Sequence, residues 1–193
     1  MEFNITSNEQ EILLTQAREV ITAELENRKP SFTQIGDDSA LNMPCGAFVS
    51  LHMQKGQNRS LRDRSLRGCI GRMTANLPLI ETVRVMAKEA AFGDPRFPPL
   101  KKEELTNLHI EISALSPMTI CTDPQKVEVG VHGLYLMCNG RSGVLLPQVP
   151  VEQKWSRQEY SDYICIKAGL PAESYKSPKA ALYTFTAIVF GEE

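Results

Sequence analysis

The chain has 193 residues, 42% of them hydrophobic and 23% charged, with a formal net charge of −2. That supplies apolar mass for one domain, or one domain of two lobes, and too little charge for a protein that coats nucleic acid by bulk electrostatics. Five cysteines with no CxxC pair argue against a disulfide scaffold and against structural zinc, and fit a reducing compartment.

No apolar run approaches the ~20 residues of a membrane helix. The polar, acidic start does not read as a secretory leader, so the expected location is the cytoplasm. Residues 7–27 predict a helix. Ser7 with Gln10 forms a capping box, and Leu13, Leu14, Ala17, Val20, Ile21 and Leu25 recur at helical spacing. Arg28-Lys29-Pro30 ends it. Residues 31–45 read as a polar loop, with Asp37 and Asp38 in a solvated turn. Residues 46–53 alternate as a strand, with Ala47, Val49, Leu51 and Met53 on one face and Phe48, Ser50 and His52 on the other.

Residues 55–64 form a polar connection that holds a local duplication, Arg59-Ser60-Leu61-Arg62 and Arg64-Ser65-Leu66-Arg67. The first copy is expected in the hairpin loop, because sliding it into the strand would invert the buried face. From 59 to 72 there are five arginines and one aspartate. That charge suits a phosphate or carboxylate, while Arg59, Arg62 and Arg64 read first as a solvated loop.

The second copy leads into Leu66-Arg67-Gly68-Cys69-Ile70-Gly71. Glycine inside a strand marks a bulge or a close backbone approach. Strict alternation sends Leu66, Gly68 and Ile70 to the core and Arg67 and Cys69 to a shared second surface. A guanidinium near a thiol favours the thiolate, the form that attacks. Two readings of Cys69 stand side by side: a nucleophile, or a small apolar group packed where two backbones pass closely.

Residues 76–91 predict a second helix, capped by Asn76, with Pro78 in its first turn and Gly93 past its end. Asp94-Pro95-Arg96-Phe97-Pro98-Pro99 is a stiff, extended loop, in which an Asp94–Arg96 contact is expected either to shape the loop or to present a polar group. Residues 108–115 alternate cleanly, with His109, Glu111 and Ser113 on the polar face. If that face meets the Cys69 face, these become acid–base candidates. Residues 127–129 and 131–138 read as strands, with a turn at 139–143 on the Asn139-Gly140 signal and a partner strand at 144–146. Pro147-Gln148-Val149-Pro150 then leaves the sheet. Ser156 and Glu159 cap the last helix, where Trp155 and Tyr160 would form a staple and Tyr163, Ile164 and Cys165 would face inward. Residues 182–190 read as one final strand.

Several stretches together resemble the AMMECR family: LRGCIG at 66–71, GAFVSL at 46–51, DPRFPP at 94–99, EISALSP at 111–117, GRSGVLLPQV at 140–149 and CIKAGLP at 165–171. The likeness covers nearly the whole chain. The arginine-rich loop is longer than the family pattern, and His52 and His109 lie outside it. The resemblance implies an α+β domain over residues 5–191: an antiparallel or mixed sheet, helices packed on one face, and two lobes with a cleft between them. It picks out Arg67, Gly68, Cys69, Gly71, Asp94, Arg96, Glu111 and Gln148. It also implies association with MEMO-type and radical-SAM proteins in prokaryotes, and it supplies no reaction and no cofactor.

The residues therefore point to an enzyme of unassigned reaction acting on a small anionic or nucleotide-like substrate. Cys69, Glu111 and Arg67 would carry the chemistry, Gly68, Gly71, Asp94, Arg96 and Gln148 would hold the substrate, and no metal is called for. A Cys–His pair with His52 or His109 is the less favoured arrangement. The competing readings are a non-catalytic nucleotide- or RNA-binding module and a protein-interaction adaptor that uses exposed strand edges.

Overall fold

The first helix is capped by Thr6, one residue before the sequence reading placed it. In the computed structural model, which describes residues 3–54, 64–74 and 76–192, helix α1 spans Ser7–Leu25 and its capping box is Thr6 with Glu9. A carboxylate accepts the cap N–H more strongly than an amide does. Gln10 turns away and donates to Ile5 O at 3.0 Å. The second helix, α2, spans Leu79–Phe92 with Pro78 at its cap and no side-chain cap bond. Asn76 is not needed there, because Leu79 N–H donates to Met43 O at 2.9 Å.

The chain divides into two units, Met1–Leu115 with Ile188–Glu193, and Ser116–Ala187. The first unit holds strands β1 (Ala47–Gln54), β2 (Arg64–Arg72) and β3 (Leu108–Leu115). With β8 (Ala187–Gly191) they form a sheet of order β2-β1-β3-β8. β1 pairs antiparallel with both neighbours. Helices α1 and α2 cover one face. Their apolar stripes (Leu13, Ala17 and Ile21; Val83, Met86 and Ala87) pack on Val49, Leu51, Ile110 and Ile112 as one core. The other face of this sheet carries no helix of the unit among the described residues.

The second unit holds β4 (Thr119–Ile120), β5 (Gly133–Cys138), β6 (Arg141–Leu145) and β7 (Ala180–Phe185), in the order β4-β7-β5-β6. Helices α3 (Gln148–Glu152) and α4 (Arg157–Lys167) follow the hairpin. The α+β, two-lobed reading is borne out, with helices on one face of the first sheet.

Several local expectations are corrected. The hairpin turn is only Asn139-Gly140, both with positive φ (52° and 76°), so β6 begins at Arg141. That is the two-residue turn whose twist matches the strands. Residues 127–129 are not a strand: Val127 is buried behind a 3₁₀ turn, Pro124–Lys126. Residues 148–152 are a short helix. The run 182–190 is two strands in different sheets, parted at Thr186. Trp155 stacks on Tyr163, with centroids 4.0 Å apart, not on Tyr160. Tyr160 is fully buried, its hydroxyl 3.1 Å from both His132 O and Leu145 O. The Ser156–Glu159 box forms as read.

Candidate functional site

Cys69 lies on the face of the first sheet opposite α1 and α2, and the pairing register says which side chains share that face. Ser50 is opposite Cys69 on β2 and opposite Glu111 on β3. The three form one row across β2, β1 and β3. Phe48 with Gly71 and Ser113 makes the row on one side, and His52 with Leu66 and His109 the row on the other. Ser50 Oγ donates to Cys69 Sγ at 3.2 Å. Cys69 and Ser50 are half-buried and Glu111 is exposed. Thus the polar face of β3 does meet the face that carries Cys69.

Arg67 does not share that surface. Leu51 pairs with Gly68 and His52 with Leu66, which leaves Arg67 as the extra residue of a β-bulge. A bulge shifts the alternation by one. Leu66, expected in the core, therefore joins the outer face and is 41% exposed. The buried Arg67 side chain bonds to Glu104, from Nε to Oε1 at 2.7 Å and from Nη2 to Oε2 at 3.1 Å. It also reaches Pro99 O at 3.4 Å, and its guanidinium lies 5.9 Å from the Phe97 ring centre. Its Nη1 is buried without a hydrogen-bond partner. The guanidinium holds the Glu104 carboxyl below the usual carboxylate range. Glu104 sits in a 3₁₀ turn, Lys102–Asn107, that the sequence reading missed; nothing local in the chain links it to Arg67.

The proline-rich loop is tied to Cys69 through the backbone. Asp94 Oδ2 accepts from Cys69 N–H at 2.9 Å, and Arg96 Nη2 donates to Cys69 O at 3.1 Å. Arg96 also bonds Asp94 from Nε at 3.0 Å, from Nη2 at 2.7 Å and from its own N–H at 3.1 Å. β2 is an edge strand, so this carboxylate and guanidinium supply the acceptor and donor a neighbouring strand would have offered. With its peptide groups turned outward, Cys69 faces Ser50 as a non-hydrogen-bonded pair, the kind whose side chains approach most closely. The Asp94 side chain is 2% exposed and that of Arg96 55%. Bonds from the Arg96 side chain first, then from Cys69 N–H, hold the Asp94 carboxyl far below its ordinary range.

Both glycines of the hexapeptide have a packing reason. A Cβ on Gly68 would fall 2.1 Å from Ala90 O of α2, and one on Gly71 would fall 2.2 Å from the Phe48 ring. Gln148 is the exposed first residue of α3, in the other unit. His52 and His109 pair across β1 and β3, and His52 Nε2 is buried without a hydrogen-bond partner. All five cysteines are free. Arg64 opens β2, while Arg59 and Arg62, with the first repeat copy, lie outside the described residues. Among the described residues no helix is long and apolar enough to cross a membrane. Ser50 was missed as a site residue: its face was legible from alternation, but its place beside Cys69 needed the β1–β2 register.

A profile of the AMMECR1 family matches residues 14–190. Protein NEQ441 of Nanoarchaeum equitans is 37% identical over 185 residues, covering 92% of this chain and 97% of that one. Protein MK0488 of Methanopyrus kandleri is 38% identical over 196 residues, covering 98% and 91%. The crystal structure of the uncharacterized protein PH0010 from Pyrococcus horikoshii superposes with a TM-score of 0.78 at 37% identity, covering 98% of this chain and 94% of that one.

Proposed function

The chain belongs to the AMMECR1 family, and we propose that it is a thiol-dependent enzyme acting on a small anionic or nucleotide-like substrate at Cys69. The observation that carries this reading is the way Cys69 is held. Its backbone is fixed on both polar groups by Asp94 and Arg96, and its sulfur stands on the face opposite α1 and α2 with a hydroxyl donated to it at 3.2 Å. A nucleophile held by bonded neighbours keeps its geometry through the reaction.

In this reading Cys69 Sγ forms the bond to an electrophilic atom of the substrate. Ser50 orients the sulfur, and its hydroxyl supports negative charge there. Glu111 stands in the same row but across β1, two strand spacings or about 10 Å from Cys69 at the backbone; it takes up the thiol proton through bridging water, not by direct contact, and returns it to the leaving group by the same route. Arg96 is the anion anchor, because its side chain is 55% exposed. Arg67 acts as a positioning residue: its charge is engaged by Glu104, and its bulge sets the alternation that brings Cys69 to the outer face. Gly68 and Gly71 let the hexapeptide lie close to α2 and Phe48.

Iodoacetamide labelling at pH 7, read by peptide mass spectrometry, tests the proposal. Cys69 is expected to react about tenfold faster than N-acetylcysteine, Ser50→Ala to slow it several-fold, and Ser50→Thr to restore part of the rate. Labelling of Cys69 no faster than the free model thiol overturns the assignment.

A further inference from the structure

We infer that the substrate of Cys69 carries a planar ring of the nucleobase kind, stacked on Phe48, and that Gly71 lacks a side chain so that this ring platform can reach the thiol. The ring site rests on the thiol reading of the same face. It narrows the substrate class from small anions in general to anions that bear a planar ring.

Phe48 sits in β1 one row from Ser50, opposite Gly71 on β2 and Ser113 on β3. Ser50 and Cys69 are a non-hydrogen-bonded pair, and Phe48 and Gly71 share that parity. This is the narrow kind of pair, in which side chains come closest. The Phe48 ring fills the place where a side chain at 71 would stand. Its Cδ1, Cγ and Cε1 lie 2.2, 2.3 and 2.7 Å from the position of a Cβ there. The ring is therefore folded over β2 and away from β3. Gly71 follows Cys69 by two residues on the same face, about 7 Å along the strand. A ring of nucleobase size stacked on Phe48 reaches from there to the sulfur.

The ring is not spent on the folded core. Phe48 is half-buried and belongs to neither apolar cluster. Among the described residues no aromatic ring or cation stacks on it. An aromatic ring laid over an edge-strand glycine also shields that strand. Shielding uses the side of the ring against β2, and the other side points away from the sheet. Ser113 and Ser50 flank Phe48 with hydroxyls, which can donate to or accept from the polar edge of a heterocycle. The anionic end of the substrate falls to Arg96. Its Nε and Nη2 are bonded to Asp94 and Cys69 O, while Nη1 makes no hydrogen bond among the described residues. Every base has a π-face, so this platform separates substrates with a ring from those without one.

The probes are the four ribonucleoside 5′-monophosphates. Ribose 5-phosphate, which keeps the anion and lacks the ring, is the control. Binding to the full chain is measured by equilibrium dialysis at fixed salt. At least one nucleotide is expected to bind saturably and about tenfold or more tighter than ribose 5-phosphate. Phe48→Leu should weaken nucleotide binding by about tenfold and leave ribose 5-phosphate unchanged, and Phe48→Tyr should stay within about twofold of the parent. Gly71→Ala keeps the ring but displaces it. It should weaken nucleotide binding as Phe48→Leu does, and it serves if the leucine variant misfolds. A ring that only shields β2 would change the melting temperature and not the preference for nucleotide. No saturable nucleotide binding, equal binding of nucleotide and ribose 5-phosphate, or unchanged nucleotide binding by folded Phe48→Leu or Gly71→Ala overturns the ring site. Slow labelling of Cys69 with ring-selective binding intact overturns the thiol assignment alone. Fast labelling without ring selectivity overturns the ring site alone.

Discussion

Gly68→Ala tests why the hexapeptide needs its first glycine. The new Cβ would lie 2.1 Å from Ala90 O and 3.1 Å from Ala90 C. An ordinary carbon–oxygen contact is ~3.3 Å or more, so β2 and α2 must part by about 1.2 Å. Neither moves cheaply. Ala87, Ala90 and Ala91 of α2 are buried in the same core as Leu51, which is paired with Gly68. Overfilling a packed core costs about 1–3 kcal/mol; against a backbone oxygen the upper figure applies. Alanine stiffens the unfolded chain, returning about 0.4–1 kcal/mol. The net loss is about 2 kcal/mol, or a Tm roughly 4–8 °C lower for a chain of this length, read by circular dichroism. Gly71→Ala is the comparison, since its Cβ would meet the Phe48 ring, a side chain that can rotate away, and it should cost about 1 kcal/mol or less. A Gly68→Ala melting temperature at or above the parent's refutes the packing argument and returns Gly68 to the ligand-binding role.

Three other outcomes follow from the ion pairs and the buried hydroxyl. Asp94 and Glu104 are both held below the ordinary carboxylate range, by Arg96 and by Arg67 respectively. A carboxyl with a depressed folded-state pKa contributes stability that is complete above its unfolded pKa, about 4, and is lost as pH falls toward the folded value. Urea midpoints should therefore hold from pH 7 to about 5 and fall below about 4. Asp94→Asn should flatten that fall and speed hydrogen exchange at the Cys69 amide; an unchanged acid limb and unchanged exchange would contradict the edge-closing role. Glu104→Gln leaves the Arg67 charge buried without its partner. It should cost roughly 2–4 kcal/mol, short of a fully buried pair because the Glu104 side chain is 26% exposed; a loss under about 0.5 kcal/mol would show that water already screens the pair. Tyr160→Phe removes a buried hydroxyl that lies 3.1 Å from both His132 O and Leu145 O, and denaturant unfolding should register about 1–2 kcal/mol, with no loss arguing that those carbonyls are satisfied otherwise.

Alternation found the right face in β1 and β3, because those strands pair without irregularity over the positions that matter. It failed at Leu66 and Arg67, because a single unpaired residue reverses every side chain before it and leaves no mark in the order of residues. It failed again at the last strand, where Thr186 carries an unbroken β-forming run from one sheet into another. The proline-rich loop was legible as stiff and as the place of an Asp94–Arg96 pair. Its partner was not, since Cys69 lies 25 residues earlier in sequence than Asp94 and only the return of the chain after α2 brings them together.

These features combine into one constraint on the thiol. A strand that slips by one residue exchanges its two faces, and such a slip of β2 would carry Cys69 into the apolar core and Gly68 or Ile70 out of it. Two independent fixings oppose it. Below Cys69, the bulge is anchored through Arg67 to Glu104. At Cys69 itself, Asp94 and Arg96 match one N–H and one C=O, and a shift would present that acceptor and donor to peptide groups that turn inward toward β1. Neither fixing adds much buried apolar surface, so hydrophobic packing alone does not account for their geometry. Their common effect is register, and register is what keeps the sulfur on the face turned away from α1 and α2, beside Ser50 and in line with Glu111. Loosening either one should therefore change the labelling of Cys69 more than it changes the stability of the sheet.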